Sequence, residues 1–295
     1  MDKVIVIVGP TGIGKTKLSI ALAHRLNGEI INADSTQIYK ELDIATAKVT
    51  KDETENIVHH LLDIKDIVED YNVYDYQKDS RKVIDDIINR GKVPIMVGGT
   101  GLYIKASLYD YQFNDDTIIN NYDDISNEEL YNKLLAVDHE TQIHMNNRKR
   151  IIRALNYCET KKEPFSSKEK TDKLLYNALF IGLTTDRELL YKRLNERVDK
   201  MLQSGLLEEA GKIYKSKIRS KAVMTPIGYK ELFDYFDDKK ELTECVELIK
   251  QRSRKYAKRQ YTWFNNQLQV HWINVNLENF DQTIDEAIKF IDQKS

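Results

Sequence analysis

Three features of the sequence predict an α/β fold in which a parallel sheet is flanked by helices and interrupted by a helical insertion. Short apolar runs alternate with helical patterns over the first hundred residues, a glycine-rich turn joins the first run to the first helix, and the texture changes near Gln112 before an apolar run resumes at Leu175. The chain has 295 residues, 41% hydrophobic and 31% charged. That is enough apolar material for a large core with a smaller second unit, and it sets aside the disordered, collagen-like and membrane-spanning classes.

The elements follow in order. VIVIV (4–8) reads as a strand, KLSIALAHRL (17–26) as a helix, EIINA (29–33) as a second strand, SRKVIDDIINRG (80–91) as a helix after a polar stretch, and KVPIMV (92–97) as a third strand. The insertion carries NEELYNKLLAVD (127–138) and RKRIIRALNYCE (148–159), both helical in spacing, between the acidic NDDTIINNYDD and the polar KKEPFSSKEKTDK. LYNALFIGLTT (175–185) returns to the sheet, long helical patterns follow, and VHWINV (270–275) is a last strand. The expected division is a first core part at 1–111, an insertion at 112–174 that binds RNA, and a second core part at 175–295.

Net charge is −2, so a polyanionic partner would have to be met by local basic patches. Two such patches exist. In NNRKRIIRAL, Lys149 and Arg153 share a helical face beside Arg150, with Ile151 and Leu155 on another. In KQRSRKYAKRQYTWF, Arg252, Lys255 and Arg259 line one face, while Ile249, Tyr256 and Trp263 recur on another. Either helix is a solvated face or a set of phosphate contacts, and two in a net acidic chain favour RNA. Cys158 and Cys245 are too few for a disulfide framework, and the six histidines lack metal-ligand spacing. The start VIVIV has no basic region or cleavage site before it, so the cytoplasm is expected.

GPTGIGKT (9–16) satisfies G-x-x-x-x-G-K-[ST] between a strand and a helix, which makes the fold P-loop NTPase-like. Gly9, Pro10, Thr11, Gly12, Ile13 and Gly14 form a loop whose N–H groups face an anion. Lys15 reaches the terminal phosphates, and the Thr16 hydroxyl can ligate Mg²⁺. The motif recognises a diphosphate and a metal; it says nothing about a base or ribose.

At the expected end of the second strand, NADSTQIY offers Asp34 as a base, with Ser35, Thr36 and Gln37 at the same rim; the alternative is that Asp34 or Ser35 caps a turn. After the third strand, where a hydrolytic P-loop protein usually carries an acid for Mg²⁺, the chain reads GGTG, so efficient ATP hydrolysis is not expected. Gly98 and Gly99 allow close approach of a ligand. The Thr100 hydroxyl either donates to a leaving-group oxygen or caps a helix. Arg193 and Arg197 fall on one helical face and either clamp a diphosphate or pair with Glu196 and Asp199.

GPTGIGKT, ADSTQIYKELDIATAK, HHLLDI, VGGTGLY, NRKRIIRALNYCE, LNERVDKMLQSGLLEEA, IGYKEL and AKRQYTWF, in this order from residue 4 to about 265, resemble the tRNA dimethylallyltransferase family, in a bacterial form without a zinc-finger extension. The resemblance implies transfer of a dimethylallyl group from dimethylallyl diphosphate to N6 of the tRNA adenosine 3′ of the anticodon. Gly9 to Thr16 would hold the donor's diphosphate, with Mg²⁺ near Thr16. Asp34 would be the general base, Thr100 would position the diphosphate-bearing carbon, and Arg197 would steady the leaving diphosphate. Asp34 to Gln37 would read the flipped adenine, and Lys149, Arg150 and Arg153 would grip the RNA. A monomer with no membrane association is expected. Two departures stand out: the family's arginine early in the insertion is missing from NDDTIINNYDDISNEEL, and its proline before the basic helix is missing from IHMNNRKR. Three rivals remain: a small-molecule kinase, a prenyltransferase acting on free AMP, ADP or ATP, and a nucleotide-gated RNA-binding switch. The last is disfavoured by the absence of N-K-x-D.

Overall fold

The computed structural model describes residues 3–113, 120–167 and 173–294. The six strands β1 (Lys3–Val8), β2 (Gly28–Asn32), β3 (His59–His60), β4 (Val93–Val97), β5 (Asn177–Thr184) and β6 (His271–Asn274) form one sheet in the order β3-β2-β4-β1-β5-β6. All pairs are parallel. β1 lies inside the sheet and is covered on both faces, which explains its unbroken apolar run. Val4, Val6 and Val8 pack into one core cluster and Ile5 and Ile7 into the other.

Helix α1 (Lys15–Leu26) follows β1, and α2 (Val73–Asn89) precedes β4. The second helix begins a full two turns before the expected Ser80. Asn72 accepts the N–H groups of Tyr74 and Asp75 while the Asp75 carboxylate accepts that of Asn72, a reciprocal cap. Helix α3 (Gly101–Leu108) follows β4 directly. It was not foreseen, because the pattern after GGTG is too short to show a period. β3 was also missed: two residues on an edge, inside a polar stretch, carry no strand signal.

By its internal contacts the chain divides into two units, 1–109 with 174–295, and 110–173. The smaller contains α4 (Asn127–Val137) and α5 (Arg148–Lys161), which enclose their own core of Leu130, Leu134, Ile143, Ile151, Ala154 and Leu155. Asn147 starts α5 where the family's proline is missing, its side chain accepting the Arg150 N–H. Arg148 donates to the Ile125 carbonyl at 2.7 Å and to Asn127 Oδ1 at 3.1 Å, so this arginine holds its own unit together. Part of the acidic NDDTIINNYDD and of KKEPFSSKEKTDK lies outside the described residues.

In the larger unit, α6 (Arg187–Gln203), α7 (Leu206–Lys215), the short α8 (Lys221–Met224), α9 (Tyr229–Phe236) and α10 (Leu242–Gln267) follow β5, and α11 (Phe280–Gln293) ends the chain. The Glu209 carboxylate on α7 accepts the consecutive backbone N–H groups of Asp43, Ile44 and Ala45, and the Tyr229 hydroxyl donates to it at 2.7 Å. Among the described residues no helix is long and apolar enough to cross a membrane.

Candidate active site

The glycine loop sits at the carboxyl end of β1, where ligands enter a parallel sheet. Its eight residues divide by function. Thr11, Gly12, Gly14, Lys15 and Thr16 line a cavity of about 430 Å³. Ile13 is buried in the core beneath it. Gly9 and Pro10 present carbonyls that accept from Lys15 Nζ at 3.0 and 2.9 Å. Gly14 has φ +106° at the N-cap of α1, a left-handed conformation that a side chain would strain. Lys15 is enclosed, and burial pushes its ammonium down to about 8, opposed by the nearby Asp34 carboxylate.

Asp34 follows β2. Its Oδ1 accepts the Thr36 N–H at 3.0 Å and the Thr36 hydroxyl at 2.7 Å, while its own N–H is held by Asn32 Oδ1. The turn-capping role therefore occupies one carboxylate oxygen. Oδ2 has no hydrogen-bond partner among the described residues. Gln37 donates through Nε2 to the carbonyls of Thr46 and Ala47, so Oε1 is the end left for a ligand.

Arg197 and Arg193 lie on α6 as the spacing predicts, and neither pairs with Glu196 or Asp199. Arg197 Nη1 donates to Thr11 Oγ1 at 3.1 Å, and Arg193 Nε lies 3.4 Å from the Gly12 carbonyl. Asp199 pairs instead with Lys250. Burial lowers the pKa of Arg197, with Asp34 again opposing. Arg197, Asp34, Thr11 and Thr46 also line a second cavity of about 640 Å³, so they stand at the junction of the two.

The second cavity takes in the basic face of α10. Arg252, Lys255, Tyr256 and Arg259 line it together with Met201 and Ile227. The basic face of α10 thus borders this cavity and still meets solvent: Lys255 and Arg259 are exposed, and Arg252 is ion-paired to the fully buried Glu231. The GGTG stretch differs in a related way. Gly98 and Gly99 line the first cavity, but their lack of side chains is required by protein behind them. A Cβ on Gly98 would lie 2.2 Å from the Ala33 backbone, one on Gly99 2.0 Å from Gln260 Nε2, and one on Gly101 2.1 Å from the Trp263 ring.

Thr100 lines neither cavity. It occupies the N-cap position of α3 without capping it, and its hydroxyl accepts the Ser35 N–H at 3.0 Å and donates to Ser35 Oγ at 3.2 Å. Lys149, Arg150 and Arg153 sit on α5 in the smaller unit, on the solvent side of a helix whose Ile151 and Leu155 are buried.

The sequence reading missed His59 by testing the histidine pair only for metal spacing. His59 lines the first cavity. Its Nδ1 lies 2.9 Å from the Ile57 carbonyl, which places the proton there. Its buried Nε2 has no partner among the described residues, and burial lowers the ring's pKa. His59 thus borders the first cavity as a ring whose Nε2 is enclosed and not presented to it. No cluster of three metal-ligating side chains exists among the described residues. The Thr16 hydroxyl, with Asp34, Glu53 and Glu196 in the same wall, suits a hydrated Mg²⁺ held chiefly by diphosphate oxygens.

The sequence model of the IPP transferase family matches residues 37–267. A tRNA dimethylallyltransferase of Anoxybacillus flavithermus is 48% identical over 99% of this chain and 97% of its own length. One of Geobacillus thermodenitrificans is also 48% identical, over 98% and 96%. Among solved structures, the tRNA delta(2)-isopentenylpyrophosphate transferase of Staphylococcus epidermidis aligns over 99% of both chains, with a TM-score of 0.76 and 42% identity. A eukaryotic dimethylallyltransferase acting on tRNA aligns over 99% of this chain and 80% of its own, with a TM-score of 0.84 and 32% identity.

Proposed function

The chain belongs to the tRNA dimethylallyltransferase (IPP transferase) family, and on that premise we propose how its two cavities share the reaction. The smaller holds the diphosphate of dimethylallyl diphosphate and the larger receives the adenosine 3′ of the anticodon. The observation that carries this reading is the position of Asp34 and Arg197, a base and a cation lining both spaces at once.

In the proposed step the adenine N6 attacks the donor's C1 as the C1–oxygen bond breaks. The bonding electron pair leaves on diphosphate, and the N6 proton passes to Asp34 Oδ2, while Oδ1 stays anchored by Thr36. Lys15, Arg197 and the loop N–H groups after Thr11 stabilise the charge that develops on the leaving group. Lys15 exchanges its two carbonyl partners for phosphate oxygens, and the diphosphate restores its full charge. Mg²⁺ held near Thr16 would neutralise further diphosphate charge. Ser35 and Thr36 line the larger cavity and form the rim for the adenine, Gln37 lines the smaller cavity and would accept from the adenine amine across Asp34, and Thr100 acts through Ser35. Lys149, Arg150 and Arg153 hold RNA phosphates. One unit of one chain lines both cavities, which supports action as a monomer, and the bacterial tRNA-modifying family supports a cytoplasmic reaction.

The test is to incubate the protein with dimethylallyl diphosphate, Mg²⁺ and unmodified tRNA, then weigh the nucleosides after digestion. A dimethylallyl increment on adenosine is expected. An increment on free AMP, ADP or ATP alone would replace the acceptor, and ATP consumption with a phosphorylated product would replace the donor. Asp34→Ala is expected to lower transfer by about a hundredfold or more with RNA affinity retained; near-normal turnover would remove Asp34 as the base.

A further inference from the structure

We propose that Gln260 is a positioning residue that fixes the spacing between the diphosphate loop and the acceptor side of the site; the proposal rests on the reading of the two cavities given above. Gln260 is buried in α10 and lines neither cavity. Its Oε1 accepts the N–H of Thr11 at 2.9 Å, and its Nε2 donates to the carbonyl of Gly99 at 3.1 Å.

Those two partners belong to different halves of the chemistry. Thr11 opens the part of the loop that faces the diphosphate. Gly99 precedes Thr100, whose hydroxyl holds the Ser35 N–H next to Asp34. Both loops leave neighbouring parallel strands, β1 and β4, paired at Ile7 and Val97. Beyond those strand ends, one side-chain amide bridges them. Gln260 also determines which loop amides remain for the ligand: the Thr11 N–H is engaged, and the anion-facing groups begin after it. Arg197 holds the hydroxyl of the same threonine, so α6 and α10 fix Thr11 from two directions. The fit is close, since a Cβ on Gly99 would fall 2.0 Å from Gln260 Nε2.

Alkyl transfer requires N6, C1 and the leaving oxygen to be in line, and a misplacement of about 1 Å can cost on the order of a hundredfold in rate. The leaving group is held by the β1 loop and the nucleophile by the β2 and β4 loops, so the bridge sets the distance that alignment depends on. Glutamine suits the task because it presents one acceptor and one donor side by side; glutamate keeps the acceptor for Thr11 and loses the donor for Gly99.

Gln260→Met preserves length and removes both bonds. Gln260→Glu keeps the burial and one bond should the methionine variant not fold. We expect kcat to fall about a hundredfold in Gln260→Met and less in Gln260→Glu, with diphosphate affinity by calorimetry and KM for the donor within about threefold of wild type. The Thr11 amide is expected to be protected from hydrogen exchange in wild type and to lose protection in Gln260→Met. A kcat within threefold of wild type, or a loss of diphosphate affinity that matches the loss of kcat, overturns the proposal. So does a freely exchanging Thr11 amide in the wild type, a readout that stands whether or not transfer to tRNA is observed.

Discussion

Helices α5 and α10 carry the same signature, clustered cations on one face and an apolar stripe on the other, yet only α10 ties part of its cations into ion pairs and a cavity wall of the larger unit. α5 buries Ile151 and Leu155 in a small local core and leaves Lys149 and Arg150 exposed. α10 divides its cations: Arg252 pairs with buried Glu231, Arg254 Nη1 donates to Asn195 and Lys250 pairs with Asp199, while Lys255 and Arg259, though exposed, border the larger cavity. Periodicity reports which residues share a face; it does not report what that face meets.

The contrast can be tested through stability first. Arg252→Ala leaves Glu231 buried beside the Gly228 N–H without its cation, and should destabilise the fold by about 2–4 kcal/mol, read as a lower denaturant midpoint at unchanged m-value. A change below about 0.5 kcal/mol would mean that the Arg252–Glu231 pair does not anchor α10.

A smaller effect is expected on α5. Lys149→Glu with Arg150→Glu should weaken tRNA binding about tenfold at moderate salt and lower the slope of log affinity against log salt by roughly 2, with stability within about 0.5 kcal/mol. Unchanged tRNA affinity across a salt series would remove α5 from RNA recognition and end the contrast.

The smallest effect separates an inward cation by pH. The folded pKa of Lys15 lies near 8, below the ordinary lysine value, so its ammonium is present below that pH and lost above it. Diphosphate affinity should therefore be flat below about pH 7 and decline severalfold between about pH 7.5 and 9. A flat profile to pH 9 would mean that Lys15 does not titrate there.

Much of this was legible in the sequence. The apolar runs gave the central strands, and GPTGIGKT placed an anion site at the end of the first. What the sequence hid was long-range partnership. Gln260 falls on the same face of α10 as Ile249, Tyr256 and Trp263, and a polar amide on an apolar stripe was the available sign that it satisfied buried groups elsewhere. The glycines of GGTG looked like room for a ligand because the sequence gives no hint that Gln260 and Trp263, some 160 positions later, press against them. His59 escaped because an orphaned ring nitrogen is a property of surroundings, not of spacing.

One further contact bears on how a protein that must handle RNA keeps its phosphate chemistry in one place. Successive backbone N–H groups form a concavity that captures anions, and the turn at Asp43, Ile44 and Ala45 is such a concavity, filled by the Glu209 carboxylate. Because Glu209 is tethered to the same chain, it competes at a high effective concentration, and an untethered phosphate would have to displace it to bind at this turn.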